Sequence, residues 1–489
     1  DHEAHCLRYI VSKIKLSTLV IKGLSWSFAS RIVGNLSQLF IYFILARLLQ
    51  PADFGIMASL AVFINLSNMF ATAGLGNANI QSKSLSAERF STIFYLSLAI
   101  SLALYLIIYL SAPYLSEMLN ISTEFVSLLR IYGLTILFTV MNGMQLSELS
   151  RNLAFDKIFY CSTIPSVISG VVSIGLAYAG FGIYALIVNI GLARLLSIVF
   201  CSIYYSPIPR LAFNFEIAKK SLSYSGNLFF ASLADEIYRS TIIILIGKFY
   251  SASTLGYYNL AKQLPTFIAS TINATVASVF FPVFSGLQND LIAGKKMLRS
   301  SIRSLNILIF PLLCLTILLA EDVISVLLTD KWLPSVIYIQ YFAVIVGLHH
   351  IYANSSYYIN ALGYSSVTLR YALFNKLIGF IVLALTLNMG TIEIVVGQLL
   401  VVILSIIFNA VPNRKYIEYS FKEQASDIVP ALAINIFLYF VFAAINIEIT
   451  NQLIRIILVT SAFLLAYLLM IFIFRLKVID DWAKILRSS

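Results

Sequence analysis

Apolar stretches long enough to cross hydrocarbon, about 20 residues, recur along the whole chain, with only short polar gaps between them. The pattern predicts fourteen transmembrane helices, near residues 24–47, 54–79, 90–112, 125–149, 157–179, 182–205, 224–248, 255–284, 303–320, 335–361, 366–389, 391–412, 427–446 and 451–475. The second, eighth and tenth are long and polar enough to have frayed or broken ends. No stretch is left over for a soluble domain. The expected fold class is therefore an all-α polytopic membrane protein.

Composition agrees. Of 489 residues, 60% are hydrophobic and 11% charged, against about 25% charged in soluble domains. A formal charge of +11 would suggest nucleic acid in a soluble chain. In a membrane chain it points to basic loops on one side, and no nucleic-acid partner is expected. The N-terminal segment, the even-numbered loops and the C-terminal tail hold 23 of the 33 Lys and Arg residues, while the odd-numbered loops hold three, Arg47, Lys248 and Lys331. Thirteen or fifteen helices would scramble that bias, so both termini are expected in the cytoplasm. Residues 213–224, 414–426 and 477–486 look amphipathic and basic. They are expected to lie along the cytoplasmic surface against anionic headgroups, with plain solvated linkers as the alternative. Cys6, Cys161, Cys201 and Cys314 are scattered and form no CxxC, so they read as small apolar fillers. No metal site and no cofactor are expected. No short apolar region with a cleavage site precedes the first span, so no signal peptide is expected.

The chain also repeats itself weakly. Ala46-Arg47-Leu48-Leu49-Gln50-Pro51-Ala52-Asp53-Phe54-Gly55-Ile56 aligns without gaps on Gly247-Lys248-Phe249-Tyr250-Ser251-Ala252-Ser253-Thr254-Leu255-Gly256-Tyr257, at an offset of 201. In each, a basic residue ends one helix and a glycine eight residues later opens the next. The offset covers six spans, an even number, so the halves run the same way: a parallel repeat about an axis along the membrane normal. The expected organisation is a cytoplasmic segment 1–23, an N-lobe 24–210, an amphipathic linker 211–223, a C-lobe 224–413, a linker 414–426, two further helices in 427–475 and a tail 476–489. Two six-helix lobes face each other across a cleft in such transporters, and substrates bind there.

Charges inside spans sharpen this picture. Arg31, Arg130, Arg194, Arg239, Lys262, Lys376 and Arg455 fall in spans, against only Asp235 and Glu236 among deep acids, an excess of five positive charges. A charge at the bilayer centre costs about 2.5–3.5 kcal/mol even on the lenient scale. Arg455, near a helix end, can snorkel; Arg130 and Lys376 are intermediate. Arg31, Asn35, Gln38 and Tyr42 step by four, three and four along one helix face. The seventh span carries Ser232, Asp235, Glu236 and Arg239, with Asp235 and Arg239 spaced to pair. The eighth carries Asn259, Lys262, Gln263, Thr266, Ser270 and Asn273, and the second Asn65, Asn68 and Thr72. One reading is interhelical hydrogen bonding and buried ion pairs. The other is a hydrated path whose surplus positive charge calls for an anion, phosphate above all. His349 and His350, with Asn354, fall in the tenth span, where one reading is a pair that titrates near neutral pH and the favoured one is polar residues in a helix interface. Of Pro165, Pro265, Pro311 and Pro430, Pro265 stands beside Lys262 and Gln263, where a kink would free a carbonyl; packing is the alternative.

Several runs resemble a known family. They are Gly23-Leu24-Ser25-Trp26-Ser27-Phe28, the run Ala46 to Gly55, Gly74-Leu75-Gly76 with Ala78-Asn79-Ile80-Gln81, Ala112-Pro113, Gly180-Phe181-Gly182-Ile183-Tyr184-Ala185-Leu186, Ile246-Gly247-Lys248 with Leu255-Gly256-Tyr257-Tyr258, and Phe281-Pro282. In order, from about residue 23 to 420, they resemble the polysaccharide transporter family, the Wzx-type flippases of lipid-linked oligosaccharides, and within it the exopolysaccharide and teichuronic acid exporters.

The resemblance implies a fourteen-helix, two-lobed fold shared with multidrug extruders and lipid II flippases, with helices 1, 2, 7 and 8 lining the cavity. It implies a transporter in a bacterial cytoplasmic membrane rather than an enzyme. The cargo would be an undecaprenyl-pyrophosphate-linked oligosaccharide moved from inner to outer leaflet, and the partners the bilayer and polysaccharide polymerase or export machinery. On that reading Arg31, Arg239 and Lys262 hold the pyrophosphate, Asn35, Gln38, Asn259, Gln263 and Asn273 meet sugar hydroxyls, and Asp235 or Glu236 can couple an ion. Two other readings stay open. A cation-coupled drug extruder of the same fold would want acids in the cleft, where the first helix carries Arg31. A membrane glycan polymerase or ligase would want a long external loop, and the external loops, longest near 113–124 and 321–334, are short.

Overall fold

The computed structural model describes residues 33–72, 87–119, 123–152, 154–204, 212–218, 226–286, 290–445, 449 and 451–474. Among these residues all regular structure is helical. The chain forms two compact units, residues 1–248 and 249–489. The first contains α1 (Val33–Leu48), α2 (Pro51–Thr72), α3 (Ala87–Leu119), α4 (Glu124–Gly133), α5 (Thr135–Arg151), α6 (Phe155–Tyr178), α7 (Tyr184–Tyr204) and α8 (Gly226–Phe249), whose last residue crosses the boundary. The second contains α9 (Ala252–Gly286), α10 (Leu291–Leu318), α11 (Ala320–Leu327), a 3-10 turn (Asp330–Ser335), α12 (Val336–Ala361), α13 (Ser365–Thr386), α14 (Thr391–Ile417), α15 (Phe421–Ala444) and α16 (Gln452–Ile473).

Within the described residues helices occupy the expected spans, and eleven segments among them are long and apolar enough to cross a membrane. This is a multi-pass membrane protein. The stretches that do not meet that description are instructive. α1 is described only from Val33. α8, with 24 residues, carries Asp235, Glu236, Arg239 and Lys248, and the first half of α9, a helix of 35 residues, carries Asn259, Lys262 and Gln263. Both bear the polar stripes singled out in the sequence.

In the first unit α6 lies along α7, and small residues permit the approach. Ser166, Ser169 and Ser173 of α6 are buried, Ser173 Oγ donates to the Ala185 carbonyl at 2.8 Å, and a Cβ on Gly170 would overlap the Ile41 side chain of α1. α2 packs on α3, α4 and α5. In the second unit α10 is the central helix, buried along most of its length, with α12 and α15 against it and α16 closing an apolar cluster around Phe310, Phe463 and Tyr467. α9 packs on α12 and on the 3-10 turn, whose Trp332 is fully buried with the Tyr257 ring 5.9 Å away.

The repeat is visible in the helix starts. α2 begins at Pro51 and α9 at Ala252, positions the offset of 201 makes equivalent. Each start is tied by a side chain of the same repeat pair of positions. Asp53 Oδ2 accepts the Gln50 N–H at 2.9 Å; in the second copy Ser251 Oγ accepts the Thr254 N–H at 3.1 Å. Such local bonds satisfy amides that a helix start leaves open.

Three expectations are corrected. The ninth span begins at Leu291 instead of near 303, because Asp290 caps it, accepting from the Ala293 N–H at 2.9 Å, and its basic first turns are helical. Residues 414–426 are no separate surface segment: α14 runs to Ile417 and α15 starts at Phe421. The loop near 321–334 is mostly α11 and the 3-10 turn.

Candidate functional site

The polar stripes lie on α1, α2, α8 and α9. Arg31 falls outside the described residues. On α1, Asn35 and Tyr42 are half-buried and Gln38 is exposed, and the Tyr42 ring meets Phe54 of α2 edge-on at 5.2 Å. On α2, Asn65 and Thr72 are exposed and Asn68 is half-buried. On α8, Ser232 is exposed and Asp235 and Glu236 are half-buried. Arg239 pairs three residues back: its Nη2 stands 3.5 Å from Glu236 Oε2, with the Arg239 side chain still 56% exposed. Ser240 Oγ donates to the same carboxylate at 3.5 Å. An exposed pair of this kind is weak, so Glu236 orients Arg239 without hiding its charge. On α9, Asn259, Lys262 and Asn273 are half-buried and Gln263, Thr266 and Ser270 exposed. Pro265 is buried within the same unbroken helix.

Two of the other intramembrane cations have partners the sequence did not reveal. Arg130 donates from Nε to the Tyr109 carbonyl at 3.2 Å and lies 4.3 Å from the Tyr109 ring centroid. Arg455 does not snorkel alone. Its Nη1 donates to Asp322 Oδ1 at 3.2 Å, tying α16 to α11. Burial raises the Asp322 carboxyl above the ordinary carboxylate range, Arg455 opposes this and Glu321 adds to it. His350 is buried in the α10–α12 interface, Nε2 2.8 Å from Asn306 Oδ1 and its ring edge-on to Phe310 at 5.5 Å.

Sequence reasoning missed the strongest charge cluster. It counted Asp235 and Glu236 as the only deep acids, yet Asp427 is buried, its side chain 1% exposed. Arg299 Nε and Nη2 donate to its two oxygens at 2.6 and 3.1 Å, Arg303 Nη1 donates at 2.9 Å, and Tyr419 Oη donates at 2.9 Å. Arg299 Nη1 also reaches Glu423 at 2.8 Å, as does Lys295 at 2.9 Å. Asn306 Nδ2 donates to the Asp427 carbonyl at 3.0 Å, which links the cluster to His350. Burial and the neighbouring Asp427 push the Tyr419 hydroxyl pKa up, so it stays a donor. A signal was present: Lys295, Arg299 and Arg303 recur every four residues, and Glu423 and Asp427 share that step, two complementary stripes. They lie more than 120 residues apart, too far for a local pattern to join.

Comparison with known proteins places this arrangement. The chain is similar to the Succinoglycan biosynthesis transport protein ExoT of Rhizobium meliloti, 26% identical over 317 residues, 64% of this chain and 63% of that protein. The aligned part thus spans less than two thirds of that relative. It is also similar to the Teichuronic acid biosynthesis protein TuaB of Bacillus subtilis, 25% identical over 341 residues, 68% of this chain and 69% of that protein. Among solved structures, the Lipid II flippase MurJ in an inward closed conformation superposes with a TM-score of 0.72 at 16% identity, covering 93% of this chain and 98% of that one; the fold is of that type. The profile of the Polysaccharide biosynthesis protein family matches residues 44–337, more than half of the sequence, and the chain belongs to that family.

Proposed function

We propose that this protein moves a polyprenyl-pyrophosphate-linked oligosaccharide from the inner to the outer leaflet of a bacterial cytoplasmic membrane, by alternating access. The observation that carries this reading is the charged and amide side chains of α8 and the first half of α9, Asp235, Glu236, Arg239, Asn259, Lys262 and Gln263. Such residues face a bundle interior or a water-filled cavity in membrane proteins, and mark substrate or ion pathways. The family supplies the class of cargo.

In this reading Arg31, Arg239 and Lys262 hold the pyrophosphate, because a doubly charged phosphate group suits guanidinium and ammonium donors. Asn35, Gln38, Asn259, Gln263 and Asn273 meet sugar hydroxyls. The lipid tail stays in the hydrocarbon. An inside-negative potential favours outward transfer of an anion by about 2.3 kcal/mol per charge per 100 mV, a driving force that requires no nucleotide. Asp235 and Glu236 are the candidates for coupling an ion. Both termini lie in the cytoplasm, and polysaccharide polymerase and export machinery take the product.

The test is a leaflet-accessibility assay on reconstituted protein with a labelled polyprenyl-pyrophosphate oligosaccharide. The wild type should expose label to an outside reagent and an Arg31→Gln/Arg239→Gln variant should not, at equal protein incorporation. Normal transport by that variant would remove the binding role.

A further inference from the structure

Among the described residues, the cluster around Asp427 gathers three cations, Lys295, Arg299 and Arg303, about two carboxylates, Glu423 and Asp427. Around the same helix ends stand Lys296 at the start of α10, Arg414 and Lys415 in the last turn of α14, and Lys422 at the start of α15, all exposed. Among the described residues none of these four is in an ion pair. They belong to one site because Lys295 Nζ, next to Lys296, donates to the Glu418 carbonyl in the α14–α15 turn at 2.7 Å. The exposed acids nearby are Asp290, which caps α10, and Glu418.

We propose that this end of the second unit, formed by the start of α10 and the α14–α15 turn, is a binding site for anionic phospholipid headgroups. Charge complementarity names the occupant. Four cations that form no ion pair among the described residues sit at the ends of membrane helices, the depth at which a bilayer presents phosphates. The positive ends of the α10 and α15 dipoles point the same way. Aromatic rings hold two of the cations at the interface: Arg414 lies 5.7 Å from the Phe421 ring centroid and Lys415 Nζ 5.4 Å from that of Tyr416. Exposed Ile292, Val411, Phe421 and Val429 give acyl chains an apolar wall beside the charges. The site is built from helices other than those that bear the polar stripes and does not rest on the transport reading.

The experiment uses the full chain in nanodiscs of phosphatidylcholine, with increasing phosphatidylglycerol, read by thermal unfolding and by native mass spectrometry. The wild-type midpoint rises with phosphatidylglycerol. Lys296→Gln/Arg414→Gln/Lys415→Gln/Lys422→Gln matches wild type in pure phosphatidylcholine, loses the rise, and retains phosphatidylglycerol at least about tenfold more weakly. Salt at 1 M, where the screening length is about 3 Å, cancels the wild-type rise, a readout that stands even if the fourfold variant fails to fold. An equal rise in the variant, or no salt-sensitive rise in the wild type, overturns the site. So does stabilisation in pure phosphatidylcholine by a polyprenyl pyrophosphate that the same substitutions abolish, since the surface would then serve the transported lipid.

Discussion

Arg299 grips Asp427 side-on, with Nε and Nη2 on separate carboxylate oxygens, 128 residues away along the chain. Arg303 and Tyr419 complete the shell. Removing one partner of a buried pair leaves the others uncompensated, a cost of roughly 3–5 kcal/mol. Asp427→Asn should therefore lower the thermal midpoint sharply in detergent. Tyr419→Phe, which deletes a single hydrogen bond, should cost about 1 kcal/mol. Equal effects from the two substitutions would mean that the charge cluster does not hold α10 to α15.

The Asp322–Arg455 contact carries a pH signature. Burial sets the folded pKa of Asp322 above its unfolded value, which is about 4. Its contribution is then fully present below the unfolded value and lost as pH rises through the folded one. Melting curves of wild type and Asp322→Asn between about pH 4 and 7 should show the wild type losing ground to the variant as pH rises. The reverse trend would show that Arg455 dominates the environment of this carboxylate.

Gly294 on α10 faces Tyr358 of α12, which is fully buried. A Cβ at Gly294 would overlap the Tyr358 hydroxyl and lie 2.6 Å from ring carbon Cζ. Overpacking of this sort costs about 1–3 kcal/mol. Gly294→Ala should destabilise by that amount, and Gly294→Ala/Tyr358→Phe should recover part of it. No recovery in the double variant would place the strain elsewhere.

Glu236 draws charge from Arg239 at 3.5 Å. If Arg239 serves the pyrophosphate, Glu236→Gln leaves the guanidinium fully available. Half-maximal transport should then occur at a lower lipid-linked substrate concentration, by about two- to fivefold for a partly exposed pair worth up to about 1 kcal/mol. A variant needing more substrate would point instead to Glu236 as an ion-coupling group.

Much of the fold was legible because a membrane helix announces itself by apolar length alone. The stripes on α1, α8 and α9 were legible too, since a polar residue every three or four positions within an apolar run has no other local cause. What escaped was long-range. Asp427 opened what looked like a span, and Lys295 to Arg303 looked like a basic loop, so hydropathy placed the helix start near 303. Only the fold brings the cationic face of α10 against the acidic face of α15. Arg455 was misjudged for the same reason: its partner, Asp322, lies in a short helix that resembles a loop in sequence.

The turn between α14 and α15 has one further consequence. Glu418 adopts a left-handed conformation, φ 57°, so the chain reverses within three residues. Gln424 then laces both arms, donating to the Ala410 and Tyr419 carbonyls at 3.2 and 2.8 Å and accepting from Asn413 at 3.2 Å. So short and so stitched a hairpin has no slack to act as a hinge. The thirteenth expected span, outside the internal duplication, is thereby locked at its start to the end of the twelfth.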